Sequence, residues 1–466
     1  MVEPKPAGRV ADNRLAPDDV VFVALERIIE GALVAGARIT ERWIVDQAGV
    51  THAQAREALH RLDKLGALTL SARRGATLIR PDHVDPSDIR PIWLALLGMA
   101  GRKAAGREVV APAPVLRTPS ARWPRYLALR TNIDLIGRAA GSERLTHVLQ
   151  RLALQSVVGR GGFGAIAPDA VAQFAASVAR GAFDEAALNA SFEESSPRAP
   201  ARDEATSLPR AVGSAIIDLG NTASSARTYL DRIAKRLSLS PTAAPSTSDQ
   251  LASAILQRIQ FGEIRPGEAV RELPLAQEFG VSRGPVRDAL RALDRQGIID
   301  IEGRRGAFVQ RFAARDVADL FEIRATVSGV QMAEAAIAPD RPDWIDDELR
   351  AGAALLDEIA HDPDSPLGNY IVVRRALAMV TLAAGGNIAV GRLAAELEGQ
   401  VSILWTTVLR KSRQVASART WRSIVEAIIS RDASAARYNG QRIVEEAAVE
   451  ALSEARAIER RSAPGP

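Results

Sequence analysis

Arg283, Arg287, Arg291 and Arg295 recur at every fourth position. On a helix that interval puts all four side chains on one face. Val286, Leu290 and Leu293 fall on the opposite face and predict a buried stripe. Ser282, immediately ahead, is a helix-starting residue type. A helix start presents free N–H groups and the positive end of the dipole to an anion. Guanidinium forks near such an end suit guanine O6 and N7, and those farther along suit phosphates. Arg304 and Arg305, a few residues downstream, suit a phosphate backbone or a minor groove. A stripe of this kind is also what a solvated helix face looks like, with Asp288 and Asp294 as balancing charges. The surrounding elements separate the two readings.

Leu251, Ile255 and Ile259 predict a helix capped by Asp249 and ended by Gly262. RPGE at 265–268 is turn chemistry. A second helix follows at Leu273–Phe279 and stops at Gly280. The arginine helix runs from Ser282 to Gly297. Ile298–Ile301, the turn EGRRG and Ala307–Val309 then predict two short strands. Three helices and a two-stranded wing make a winged helix-turn-helix, with GVSR as the short turn inside the motif.

The pattern occurs twice. Residues 31–76 align with 262–307 without a gap, at a constant offset of 231. Gly31 matches Gly262, Glu41 matches Glu272, Arg56 matches Arg287, Leu62-Asp63 matches Leu293-Asp294, and Arg73-Arg74-Gly75-Ala76 matches Arg304-Arg305-Gly306-Ala307. A period this long predicts a duplicated two-domain unit rather than a solenoid.

IRPGE, VRELPLAQEFGVSRGPVRDALRALDRQGIIDIEGRRGAFV in the second copy resembles the DNA-binding domain of the GntR family of bacterial transcription regulators. The resemblance covers about 60 residues per copy. It implies DNA contact at Arg271, Ser282, Arg283, Arg287, Arg304 and Arg305, with Arg283 as base reader. In the first copy it carries over to Thr51, His52, Arg56, Arg73 and Arg74. That copy departs from the pattern: Thr40 stands where the second has Arg271, Thr51 where it has Ser282, and His52 where it has Arg283. Arg42 lies two residues from the Thr40 position. His52 cannot make the guanidinium fork, so the first helix is expected either to read a different half-site or to hold mainly backbone.

Behind each reading head the pattern turns helical. From Asp316, six amphipathic stretches with short breaks, the fourth running 387–411 and the fifth beginning at Arg419, predict an antiparallel bundle. DVADLFEIR, AAGGN and EAIISRD resemble the FCD ligand-binding domain of the FadR branch of the same family. The first half, 85–195, keeps only its outline. Many members of that branch hold a metal through an Asp and three His. Here those positions fall at Tyr370, Arg374, Trp421 and near Arg442-Ile443, and His361 lies in HDPDSP, read as a loop. No metal is expected. Arg324, Tyr370, Arg374 and Trp421 are the candidate ligand-pocket residues, with Arg374 able to supply the charge a metal would, for an organic acid. The reading weighed ahead of it has Arg374 and Arg375 facing solvent. Trp93 stands opposite Arg324 in the first copy, so any pocket there differs.

The fold expected is mainly α. It comprises a degenerate winged helix-turn-helix at 17–80, a divergent bundle at 85–195, and a Pro/Ser/Ala-rich linker at 196–248. The linker carries a helix at 211–237 that belongs with the first half. A second winged helix-turn-helix follows at 249–311 and a second bundle at 314–460. The 466 residues carry a net charge of only +4, with five Lys among 60 basic residues and no Cys. No Cys removes disulfides and thiolate zinc, and the five scattered His make no metal spacing. No nucleophile elbow, phosphate loop or dinucleotide fingerprint appears, so no enzyme and no cofactor are expected. No secretory leader or membrane span is read, which fits a cytoplasmic, nucleoid-associated protein. The function expected is a transcription regulator binding a double-stranded operator through two unlike heads in one chain, answering to a small-molecule effector and open to further self-association. The alternative is a sensing or interaction scaffold that has lost specific DNA binding.

Overall fold

The computed structural model describes residues 17–34, 36–71, 75–78, 86–105, 107, 122–158, 168–180, 224–237, 246–260, 262–302, 306–339, 341–404 and 408–462. The first head is built from helices α1 (Pro17–Ile29), α2 (Glu41–Ala48) and α3 (His52–Lys64) with strands β1 (Arg38–Ile39), β2 (Leu68–Ser71) and β3 (Gly75–Leu78). Helices α4 (Pro86–Ala104), α5 (Arg122–Ala140), α6 (Glu143–Val158) and α7 (Pro168–Ala179) follow, then α8 (Ser224–Arg236). The second head repeats the plan with α9 (Thr247–Gln260), β4 (Ala269–Val270), α10 (Glu272–Glu278), α11 (Arg283–Arg295), β5 (Ile299–Glu302) and β6 (Gly306–Val309). Among the described residues six helices close the chain: α12 (Ala314–Ile337), α13 (Asp343–His361), α14 (Leu367–Gly385), α15 (Ile388–Ser402), α16 (Lys411–Ile429) and α17 (Ala433–Ser462).

Each head carries a three-stranded antiparallel sheet, ordered β1-β3-β2 and β4-β6-β5. The expected wing has two strands. The third, Ala269–Val270, is two residues long, too short for its alternation to register as a period. Its pairing with Ala307 and Phe308 ties the turn after α9 to the wing. Val286, Leu290 and Leu293 are buried as the spacing demands, in one core with Leu251, Ile255 and Ile259. Asp249 is not the cap of α9. Ser246 is, with its Oγ 3.2 Å from the Asp249 amide, and the Asp249 carboxylate bonds back to the Ser246 N–H at 3.1 Å. The Asp is thus the third-position partner of a capping box.

The two bundles share one continuous hydrophobic core, running from Ile89 and Trp93 in α4 to Ala451 in α17. Helices α4 and α12 pack together, and Lys103 of α4 pairs with Asp319 of α12 at 3.1 Å and with Glu322 at 2.5 Å. Helix α12 lies tightly along α17. A Cβ on Gly440 would meet the Ser328 carbonyl at 2.9 Å, so the crossing requires glycine there. Each head sits on one bundle. Tyr126, Leu154 and Val157 enter the first head's core, and Ile403 enters the second's.

Three further expectations need correction. The helix before the second head, read with the first half, packs on the second. Tyr229 of α8 donates to the Glu348 carbonyl at 2.9 Å, and Arg232 holds the Glu348 carboxylate at 2.8 Å. Apolar spacing sets which face of α8 is buried, not what it is buried against; residues 211–223 of that reading, with linker 196–210, lie outside the described residues. The stretch 387–411, read as one helix, ends at Ser402, and α16 begins at Lys411, earlier than expected. His361 is the last residue of α13, not a loop residue, and its ring stands 2.8 Å from the Asp357 carbonyl oxygen. Helix α14 is apolar enough in length and mean hydropathy to cross a membrane, but most of it is buried within the bundle.

Candidate functional site

Arg283, Arg287, Arg291 and Arg295 are all exposed along α11. Ser282 takes the N-cap position with extended backbone, but its side chain makes no cap hydrogen bond. Arg271 occupies the N-cap of α10, likewise without a side-chain bond, and is exposed. Arg287 is engaged: its Nε and Nη2 donate to Glu272 at 3.0 and 2.9 Å. Hydrogen bonding to Arg287 holds the Glu272 carboxyl below its usual range. Arg304 and Arg305, like Arg73 and Arg74, lie outside the described residues.

The first head answers position by position. Arg56 bonds Glu41 at 2.7 and 3.2 Å, the counterpart of the Arg287–Glu272 pair. Thr40, in the place of Arg271, caps α2 by accepting the Trp43 N–H at 3.1 Å. Thr51, in the place of Ser282, is spent in a capping box with Gln54. His52 lies 3.6 Å from Glu41 and Arg42 lies 3.9 Å from Asp46, both exposed. The second head therefore leaves Ser282 and Arg283 open at its helix start, whereas the first uses its threonines internally.

The heads meet through these same helices. Lys64 Nζ lies 3.3 Å from Asp294 Oδ2, and Arg295 Nε lies 3.9 Å from Asp63 Oδ2. Asp63 and Asp294 are matched positions, as are Lys64 and Arg295, so the contact is reciprocal in the manner of a two-fold interface. His60 and Arg291 are also matched and lie near enough for the cation to act on the ring. Burial first, then Arg291, pushes the His60 pKa down. The repeat register already contained Glu41/Glu272 and Asp63/Asp294, but only the fold reveals their partners.

The second bundle holds a cavity of about 60 Å³. Arg324, Arg374 and Trp421 line it, together with Arg413, Gln331 and Ser417. Tyr370 is fully buried but is not part of the lining; burial pushes its hydroxyl up to about 12. The solvent-facing alternative for Arg374 and Arg375 is overturned. Arg374 is buried and Arg375 nearly so, and with Arg324 they converge on Glu398 of α15. Burial alone would raise the Glu398 carboxyl; Arg374, Arg324 and Arg375 outweigh it and hold the pKa at about 2. Arg413 pairs with Glu446 at 3.0 Å. Glu398 was missed because neither Glu in AAELEGQ carries a spacing signal. Among the described residues no group of three or more His, Asp or Glu is placed to hold a metal.

Residues 21–78 and 247–309 match the model of bacterial regulatory proteins of the gntR family, and 319–446 match the FCD domain. An uncharacterized HTH-type transcriptional regulator, YdhC, from Bacillus subtilis is 36% identical over 75 residues, 16% of this chain and 34% of that protein. The gluconate operon transcriptional repressor of the same organism is 38% identical over 79 residues, 17% and 32% of the two chains. The chain thus spans about a third of the length of these curated relatives. Among solved structures, E. coli McbR/YncC is 16% identical with a TM-score of 0.38, covering 45% of this chain and 98% of that one. The chain therefore combines GntR-type helix-turn-helix segments with an FCD domain.

Proposed function

We propose that this protein is a sequence-specific DNA-binding transcription regulator in which two unlike reading heads, derived by tandem duplication, act as a covalent pseudo-dimer. The reciprocal pairing of Lys64 with Asp294 and of Asp63 with Arg295 carries this reading. Family regulators that pair two chains would need protomer concentration to bring such heads together; one chain supplies it by connectivity. Arg283 is the base reader, Arg271 and Arg287 are phosphate or base contacts, and Ser282 supplies a hydroxyl to a phosphate. His52, Thr51 and Arg56 hold the weaker half of the site. The wing arginines 73, 74, 304 and 305 reach backbone or minor groove. A small-molecule effector, of the organic-acid class, binds in the cavity of the second bundle and shifts the heads. Relatives named for gluconate and D-xylose operon repression support a role in transcription rather than catalysis.

Selection from random duplexes tests the reading. The expected product is an asymmetric site, sharply defined only on the Arg283 side. Two equally defined half-sites, or no enrichment, count against it. A second reading rests on the first head, whose helix start is internally satisfied: a sensing scaffold without specific binding. That protein would show no preference for any duplex sequence at any salt concentration.

A further inference from the structure

We infer that the arginine cluster of the second bundle is an anion site with a built-in competitor: Glu398 holds it, and a small oxyanion binds by taking over guanidiniums that Glu398 now occupies. The inference rests on the reading of this cavity as the effector site.

Charge is the first argument. Among the described residues, Arg324, Arg374 and Arg375 draw together on the Glu398 carboxylate, and Arg413 pairs with Glu446. Guanidiniums gathered in one buried site favour a further anion beside them. Unspent donors are the second. The Trp421 indole nitrogen is buried and has no hydrogen-bond partner among the described residues, and neither does Arg413 Nε. Both side chains line the cavity. Guanidinium forks fit carboxylate or phosphate oxygens two at a time.

Position is the third argument. Arg324 and Arg374 face the cavity and also reach Glu398, so a ligand and Glu398 draw on the same donors. Glu398 stands on the helix that meets the second head. A Cβ on Gly297 would fall 2.8 Å from Gln400 Nε2, Gly399 lies against Ile298, and Ile403 enters that head's core. An oxyanion that releases Glu398 therefore unties α15 from α12 and α14 at the point where α15 supports the arginine helix's domain.

A site blocked by its own side chain binds with an affinity reduced by the fraction of time it is open. The full chain is titrated calorimetrically with succinate and, separately, with inorganic phosphate. Glu398→Gln is expected to bind one of them about tenfold or more tighter than wild type, and Arg374→Met in the same background to abolish the gain. Glu398→Asp, which keeps the charge on a shorter arm, is expected to gain about threefold with its circular dichroism intact, covering the case in which the Gln variant misfolds. Which anion gains separates carboxylate from phosphate ligands. Equal affinities in all forms, a gain that survives Arg374→Met, or no binding to any form overturns the inference. Duplex binding is scored independently. A chain that ignores every duplex yet shows the gain loses the regulator reading and keeps this one, and the converse result does the reverse.

Discussion

Lys64 Nζ stands 3.3 Å from Asp294 Oδ2 and so ties the ends of two helices 230 residues apart in sequence. Each acid of the seam serves two masters. Asp63 accepts the Leu70 N–H at 3.0 Å and Asp294 the Ile301 N–H at 3.3 Å, so each fixes its own wing while facing the other head's cation. The spacing of the heads and the seating of their wings are thereby coupled.

The two roles have different weights. Lys64 is more than half exposed, so a Lys64→Ala/Asp294→Ala double-mutant cycle is expected to return a coupling of under about 1 kcal/mol. Asp63→Ala leaves the Leu70 amide without its acceptor and is expected to cost about 1–3 kcal/mol. Denaturant unfolding of the four variants checks both figures.

Arg283→Ala is expected to weaken binding to a selected duplex by about 1–3 kcal/mol and to relax one position of the site. His52→Ala is expected to change affinity far less and to leave sequence preference on the Arg283 side intact. Competition binding on duplexes varied one base pair at a time distinguishes these outcomes.

Arg287 reaches DNA only at the expense of Glu272, which holds it by two hydrogen bonds. Glu272→Gln is expected to strengthen binding to all duplexes alike, because a carboxylate beside the phosphate path is removed. Arg287→Ala is expected to lower the salt slope by about one. Affinity measured across a salt series reads both.

His60 carries a pH dependence whose sign follows from its surroundings. Burial and the Arg291 guanidinium lower its pKa below the ordinary 6.5, against the weaker pull of Glu57, Asp63 and Asp294. The neutral ring is favoured in the folded protein, so its contribution is complete above pH 6.5 and is lost as pH falls through 6.5 toward the lowered value. His60→Gln is expected to flatten thermal stability over that window. Melting curves for wild type and variant across the window test it, and identical slopes refute it.

Gly352 marks where α8 docks on the second bundle. A Cβ there would lie 2.3 Å from the Tyr229 hydroxyl. Gly352→Ala is expected to cost about 1–3 kcal/mol through overpacking, and Tyr229→Phe in the same background to recover part of it. A neutral Gly352→Ala would mean that α8 does not sit on this bundle.

The arginine interval, the buried stripe of Val286, Leu290 and Leu293, and the glycine-bounded turns were legible in the sequence because each is a local rule: period, cap or turn. The repeat was legible because one register persisted over dozens of residues. It even contained the seam, since Asp63 and Asp294 sat in matched positions, but sequence has no term for two matched residues meeting each other. Only tertiary structure decided that Lys64 faces Asp294, that α8 serves the second bundle, and that Arg374 turns inward. Those outcomes depend on where elements pack, and packing is chosen by shape and charge summed over distant segments. Glu398 is the clearest case: one of two Glu in its helix, it carries no pattern, and it becomes a counter-ion only when three arginines from two other helices close around it.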